Sequence, residues 1–256
     1  MYISLYYTRY TTIHKGFFQF YTREHKYFPG RFRPPPWGNE DTGRILSILD
    51  KLNVKVTFFM TGGWVESYPD DVKAIYEAGH DLGNHSERHK DMATIGIAEQ
   101  QDELMSVHRK VKELTGYEMF LFRPPYGSYN NDLITTAEAC GYYPVQWSVD
   151  SLDWKDYGTD SIISTVCEHK ALGNGAIILM HNGATYTAEA LETVITNIRD
   201  AGYEIVPISQ LIYRENYHLD VSGKQIADGS AFGGEKGAAE NDQDTGSSLT
   251  SPADGT

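Results

Sequence analysis

Val54-Lys55-Val56-Thr57-Phe58-Phe59-Met60 is a short run rich in β-branched and aromatic side chains, and it reads as a buried strand. The stretch before it, Asp41 to Leu52, places apolar residues at 45, 46, 48, 49 and 52, the stripe of a helix with one buried face. After it, Pro69-Asp70-Asp71 opens a second helix that runs to Ala78 and stops at Gly79. The pattern continues with a long helix from Ile97 to Leu114, closed by Gly116. Strand and helix candidates then alternate at 119–122, 131–140, 143–148, 160–170, 176–180, 187–201, 203–206 and 208–213. Such alternation through short connections builds a mostly parallel sheet, open or closed into a barrel. In either form functional groups gather on the loops at the C-terminal ends of the strands.

The chain has 256 residues, 40% of them apolar, enough for a packed core in one large or two small domains. Its 22 Lys and Arg against 35 Asp and Glu, a formal net charge of -13, argue against a nucleic-acid or anionic-membrane binder. No apolar run approaches the ~18–20 residues of a membrane span. Phe17-Phe18-Gln19-Phe20-Tyr21 is too short for a signal-peptide core, so no signal peptide is visible. Two cysteines, Cys140 and Cys167, exclude a disulfide-rich scaffold and a four-cysteine zinc site, and form either one bridge or two buried thiols.

Charge divides the chain into three parts. Residues 1–36 carry a local +5 and crowd Tyr2, Tyr6, Tyr7, Tyr10, Tyr21 and Tyr27 together without a clear period; they read as an atypical N-terminal segment. Residues 37–218 carry -13 and hold the α/β pattern. Residues 219–256 carry -5, are rich in Gly and Ser with one aromatic, Phe232, and read as a disordered acidic tail.

Four segments at expected strand ends carry chemistry. Asn84-His85-Ser86-Glu87-Arg88-His89 spaces two imidazoles four residues apart. On a helical turn this puts both on one face, ~5–6 Å apart at Cβ, a spacing that suits two ligands of a divalent metal or two capping histidines. Arg123-Pro124-Pro125-Tyr126-Gly127 is a loop stiffened by two prolines, with Arg123 as a structural ion pair or as a charge that orients a catalytic carboxylate. Trp147 to Trp154 brings Asp150, Asp153 and two indoles to another strand end, as core or as a sugar platform. Ile177-Ile178-Leu179-Met180-His181 is a buried strand that delivers a histidine, either a satisfied core residue or a proton carrier. Four such clusters on one rim point to function.

Taken in order, these segments resemble the polysaccharide deacetylase family, which shares the chitooligosaccharide-deacetylase homology domain. The match runs through residues 37–213. His85 and His89 fall on the family's H-S-x-x-H metal motif, Arg123 to Gly127 on R-P-P-Y-G, Asp153-Trp154 on D-x-x-D-W, and Leu179 and His181 on L-x-H. The resemblance implies a distorted (β/α) barrel with fewer than eight complete units. It implies metal-assisted hydrolysis of the amide in an N-acetylated sugar polymer such as peptidoglycan or chitin, in the cell envelope or outside the cell, by a monomer. Zinc or a similar divalent ion would be held by His85, His89 and an aspartate. A first-motif aspartate would serve as base, and His181 as acid, oriented by Asp153 and Arg123. Pro124, Tyr126, Trp154 and Leu179 would contact substrate, with Leu179 lining the acetyl pocket.

One motif departs from the family. Its first motif, T-F-D-D-G or F-D-x-x-W-G, supplies the base and the third ligand from the first barrel strand. Trp37-Gly38-Asn39-Glu40-Asp41-Thr42 looks like the tail of the second form, but Arg33, Pro34, Pro35 and Pro36 stand between Phe32 and Trp37, with no carboxylate. Three prolines cannot donate to a central ladder. The first strand is therefore expected to be missing or replaced, with activity impaired, and a change of frame or a misassigned start would account for residues 1–36. Glu40 and Asp41 are the nearest carboxylates, with charge at a helix N-terminus as their ordinary reading. Two classes of function follow: a carbohydrate deacetylase, or a non-catalytic glycan-binding protein that uses the same cleft. A phosphoester hydrolase fits less well with an acidic domain.

Overall fold

The computed structural model describes residues 41–221 and 223–228, together with the backbone of residues 14–22. In chain order the strands are β1 (His14–Thr22), β2 (Thr57–Met60), β3 (Asp81–Asn84), β4 (Leu121–Phe122), β5 (Tyr143–Pro144), β6 (Val149–Asp150), β7 (Ala176–Asn182), β8 (Tyr203–Ile205), β9 (Tyr217–Leu219) and β10 (Gln225–Ala227). The helices are α1 (Thr42–Lys51), α2 (Gly62–Ser67), α3 (Pro69–Glu77), α4 (Ile97–Thr115), α5 (Asn131–Ala139), α6 (Thr159–Cys167) and α7 (Thr187–Asp200). The main sheet runs β5-β4-β3-β2-β1-β7-β6, every pair parallel, with β8 added beside β1. This is the expected α/β barrel-like architecture with fewer than eight complete strand–helix units.

The place of the first strand is taken by residues upstream of the prolines. β1 pairs with β2 over residues 19–22, with β7 over 16–22 and with β8 over 14–16. Nothing in His14-Lys15-Gly16-Phe17-Phe18-Gln19-Phe20-Tyr21-Thr22 forbids a central strand. It has no proline, so each amide can donate to the ladder, and its aromatic and β-branched content favours extended backbone. The segment 1–36 therefore contributes a strand to the middle of the sheet. The prolines at 34–36 and the Trp37–Glu40 segment lie outside the described residues.

The lower boundary also differs from the sequence expectation. β9 and β10 form an antiparallel hairpin that straddles residue 219, the expected start of the tail. The buried Gln225 side chain anchors it, accepting from Tyr213 N–H (2.8 Å) and donating to Tyr213 O (2.9 Å). Residues 229–256 lie outside the described part.

Strand alternation divides the core into two layers. Phe58, Phe122, Ile178 and Met180 face the helices and join Ile45, Leu49, Leu104, Val107, Leu191 and Val194. Phe59, Leu121, Val145 and Ile177 face the other way and pack with Ile208 and Ile212 in a second, smaller cluster. Cys140 and Cys167 are free and half-buried, which settles their alternatives in favour of thiols. Among the described residues no helix is long and apolar enough to cross a membrane.

His80 sits under this core, its Nδ1 accepting from Val56 N–H at 3.1 Å and its ring edge on Phe58. Burial, reinforced by Lys55 and opposed by Asp50, pushes its pKa down to about 4. The unfolded chain therefore binds a proton below pH ~6.5 that the folded chain refuses down to about 4, so stability falls as pH drops through that window. The loss amounts to about 2–3 kcal/mol by pH 4. Denaturant melts at stepped pH are expected to show it, and His80→Gln, whose amide oxygen can still accept from Val56, to flatten the slope.

Candidate active site

The sequence-predicted residues lie at the C-terminal ends of β3, β4, β6 and β7, in two clusters. The first cluster is built on the turn after β3. His85 and His89 are buried, with ring centroids 4.8 Å apart and planes at 75°. The spacing of four works, but not through a helix: residues 85–90 form an open turn in which Ser86 (φ +68°) and His89 (φ +52°) adopt left-handed backbone. Such conformations cost ~1–3 kcal/mol each and survive only where neighbours impose them.

Here the neighbours are hydrogen bonds that take up four of the turn's backbone amides. His85 N–H donates to Met60 O (3.0 Å), Ser86 N–H to Asn84 Oδ1 (2.9 Å) and His89 N–H to Ser86 Oγ (3.0 Å). Arg88 N–H and Nε both donate to the buried Glu103 on α4, each at 2.7 Å. The carbonyls of Ser86 and Glu87 accept from Gly62 and Gly63 at the start of α2. A Cβ at position 62 would fall 1.9 Å from Glu87 Oε2, so a larger residue there would have to push the Glu87 carboxylate aside.

The two imidazoles suit a metal by donor chemistry. His85 Nδ1 lies 2.7 Å from Arg123 O, which can only accept, so Nδ1 carries the proton and Nε2 is left with its lone pair. Metal-bound histidines are commonly oriented in this way. Among the described residues no group of three His, Cys, Asp or Glu side chains stands together as a metal cage. Of the two weak sequence candidates for a third ligand, Asp41 is the N-cap residue of α1 and Glu40 lies outside the described part.

The loop after β4 forms the adjoining wall. Tyr126 takes left-handed backbone (φ +62°), which lays its ring 4.6 Å from that of His89 and lets its hydroxyl donate to His89 O at 3.3 Å. A Cβ on Gly127 (φ +66°) would meet Trp147 at 2.8 Å, so the turn closes only with glycine there. Pro124 is buried beneath, while Tyr126 is 44% exposed.

Arg123 is fully buried between the rings of Phe59 and Trp147, and donates from Nε to Val145 O and from Nη2 to Gln146 O, both at 3.0 Å. Among the described residues no ion pair joins it to Asp153. The described contacts make it a clamp that ties the β4 loop to the strand-end segment after β5.

The second cluster is Asp153 with His181. Asp153 is buried and accepts three short bonds: from His181 Nδ1, from His181 N–H and from Thr187 Oγ1, all at 2.6 Å. Burial alone would raise its carboxyl; the His181 charge and these donors outweigh burial and hold it below the ordinary carboxylate range. A carboxylate fixed on Nδ1 sets the tautomer and orientation of the His181 ring. Leu179 shares the face of Ile177 and His181 on β7 and is buried without joining either core cluster. Trp154 stands at the rim, 43% exposed, with Lys155 Nζ 5.1 Å from its ring.

Sequence reasoning missed the supports: Asn84, Ser86, Glu103 and Thr187. Glu103 and Asn84 were legible only as polar residues at positions where α4 and β3 face inward. Thr187 carried no signal beyond its place at the start of α7.

Against known proteins, the polysaccharide deacetylase family model matches residues 33–145. The uncharacterized protein YlxY of Bacillus subtilis is 36% identical over 176 residues, 69% of this chain, which spans 54% of the length of YlxY. The peptidoglycan-N-acetylmuramic acid deacetylase PdaA of the same organism is 35% identical over 189 residues, 71% of this chain and 70% of PdaA. Its solved structure, a family 4 carbohydrate esterase, matches with a TM-score of 0.68 at 30% identity, covering 82% of this chain and 83% of that one. BA3943 of Bacillus anthracis, described as a CE4 family pseudoenzyme, matches with a TM-score of 0.68 at 33% identity, covering 76% and 64%. A BA3943 mutant with restored enzymatic activity superposes equally well. The chain belongs to the polysaccharide deacetylase family.

Proposed function

We propose that the chain is a metal-dependent hydrolase that removes N-acetyl groups from an N-acetylated sugar polymer of the peptidoglycan or chitin kind. It works in the cell envelope or outside the cell, and its turnover is impaired by the loss of the first-motif aspartate. The observation that carries this reading is the presence, at one end of one parallel sheet, of the His85–His89 pair and the buried Asp153–His181 pair.

His85 and His89 would hold a divalent ion, zinc by the borderline-soft character of imidazole, and that ion would polarise the acetyl carbonyl and lower the pKa of the attacking water. The protein's own groups do the rest. Leu179 lines the pocket for the acetyl methyl, and Tyr126 and Trp154 present faces to the sugar rings, with the buried Pro124 supporting the wall beneath Tyr126 rather than touching sugar. His181, held by Asp153 through Nδ1, carries a proton at Nε2. As the water oxygen bonds to the acetyl carbon and the C–N bond breaks, that proton passes to the sugar nitrogen. Both protons of the attacking water pass to solvent, one of them restoring His181, which leaves acetate and a free amine. Asp153 stabilises the ring while it holds both protons.

A second reading, a glycan-binding protein without turnover, is favoured by two observations. The segment Arg33-Pro34-Pro35-Pro36 offers no base, and BA3943, a protein similar to this one, is described as a pseudoenzyme.

Acetate release from N-acetylated chitooligosaccharide or peptidoglycan separates the two. Without the base, turnover is expected about 10²–10⁴-fold below that of a deacetylase with an intact first motif, and to vanish in His85→Ala and with chelator. Elemental analysis that finds no bound metal sinks the first reading; glycan binding with no acetate at any pH establishes the second. Asp153→Asn, which removes the partner of His181, is expected to cut residual acetate release about 10²-fold or more while leaving glycan affinity in place. An unchanged rate would remove Asp153 from the chemistry.

A further inference from the structure

Behind the His85–His89 turn runs a line of polar side chains that the proposed chemistry does not use. Asn84 Nδ2 donates to Leu104 O (2.8 Å) and to the Tyr142 hydroxyl (2.9 Å), while its Oδ1 accepts from Ser86 N–H (2.9 Å). The Tyr142 hydroxyl lies 2.8 Å from His108 Nδ1, and His108 Nε2 lies 2.7 Å from Glu118 Oε2. Lys112 pairs with the other oxygen of Glu118. The line thus starts at an exposed carboxylate, crosses α4 and β5's neighbour Tyr142, and ends on the backbone of the turn.

Only one set of proton positions satisfies it. Leu104 O accepts only and Ser86 N–H donates only, so the Asn84 amide has one orientation. Its second amide hydrogen goes to the Tyr142 oxygen. Burial pushes the Tyr142 hydroxyl well above its ordinary range, so it keeps its own proton, which must then go to His108 Nδ1. That nitrogen is therefore bare, and the His108 proton sits on Nε2, facing Glu118. Ser86, the residue at the end of the line, holds left-handed backbone and caps the amide of His89.

We propose that Tyr142 and His108 are positioning residues for the His85–His89 pair, acting through Asn84 and Ser86 with His108 in its Nε2–H tautomer. The consequence for metal binding rests on the reading of His85 and His89 as ligands; the consequence for the turn does not. Groups bonded directly to a metal's ligands set affinity by about 10–100-fold, and Tyr142 and His108, several hydrogen bonds further back, are expected at or below the lower end of that range.

The test uses the full chain, labelled with nitrogen-15, and its Tyr142→Phe, His108→Leu and His108→Asn variants. His108→Asn keeps an acceptor where Nδ1 stands; the other two break the line. The expected result is a bare Nδ1 at His108, a shifted Ser86 amide signal in Tyr142→Phe and His108→Leu, and a return toward the wild-type signal in His108→Asn. Zinc affinity by calorimetry is expected to fall by up to about tenfold in the first two and to hold in the third. A proton on Nδ1, or an unmoved Ser86 amide in Tyr142→Phe, overturns the proposal; His108→Leu decides if Tyr142→Phe does not fold. If the wild type takes up no zinc, the metal reading falls, and the Ser86 amide alone decides whether the line positions the turn.

Discussion

A strand that ends in a buried site leaves its next amides without ladder partners, and each such group costs free energy unless another acceptor reaches it. The end of β3 depends on solving this within a few residues. Asn84 and Ser86 accept from the amides two and three residues further along. Glu103 reaches from α4 to take the Arg88 amide, and the start of α2 covers the carbonyls of Ser86 and Glu87. The two left-handed residues are tolerable because this net holds them. The imidazoles are placed by the backbone's need for partners as much as by their own contacts.

The same economy appears at the end of β7. Asp153 is removed from water and given three donors, two of them from a single residue, His181. Bonding both the backbone and the ring of His181 fixes its main chain and its tautomer at once. Removing one member of such a buried set costs ~3–5 kcal/mol, because the charge that remains has lost its compensation. Stability and site geometry are therefore one constraint in this part of the molecule.

Much of this was legible in the residues. The period of α1, the proline and glycine that bound α3, and Gly116 closing α4 mark their elements directly, since φ limits and burial stripes are local properties. Motif order placed His85, His89, Asp153 and His181 on strand ends. The helical reading of the His85–His89 spacing did not survive, because Glu103 and Asn84, distant in sequence or silent in pattern, impose another backbone. The central strand was hidden for a different reason. Phe17 to Tyr21 has strand composition, but only its pairing with β2, β7 and β8 distinguishes it from any short apolar run. Arg123 read equally well as an ion-pair partner or an orienting charge, and its use as a clamp on two carbonyls follows from a loop that no local pattern specifies.

The position of β1 has a consequence for how the chain reaches its folded state. Its longest pairing joins Gly16 to Ala176 and Thr22 to Asn182, so the strand nearest the start of the chain waits for partners synthesised near the end of the domain. Closing so long a loop costs entropy before any contact repays it. Until then β2 and β7 each present an open edge and an apolar face, in a sheet whose pairings are all parallel and non-local. Parallel pairings between such distant segments are slow to form, and the open edges of β2 and β7 are where a half-made sheet is exposed to wrong pairing.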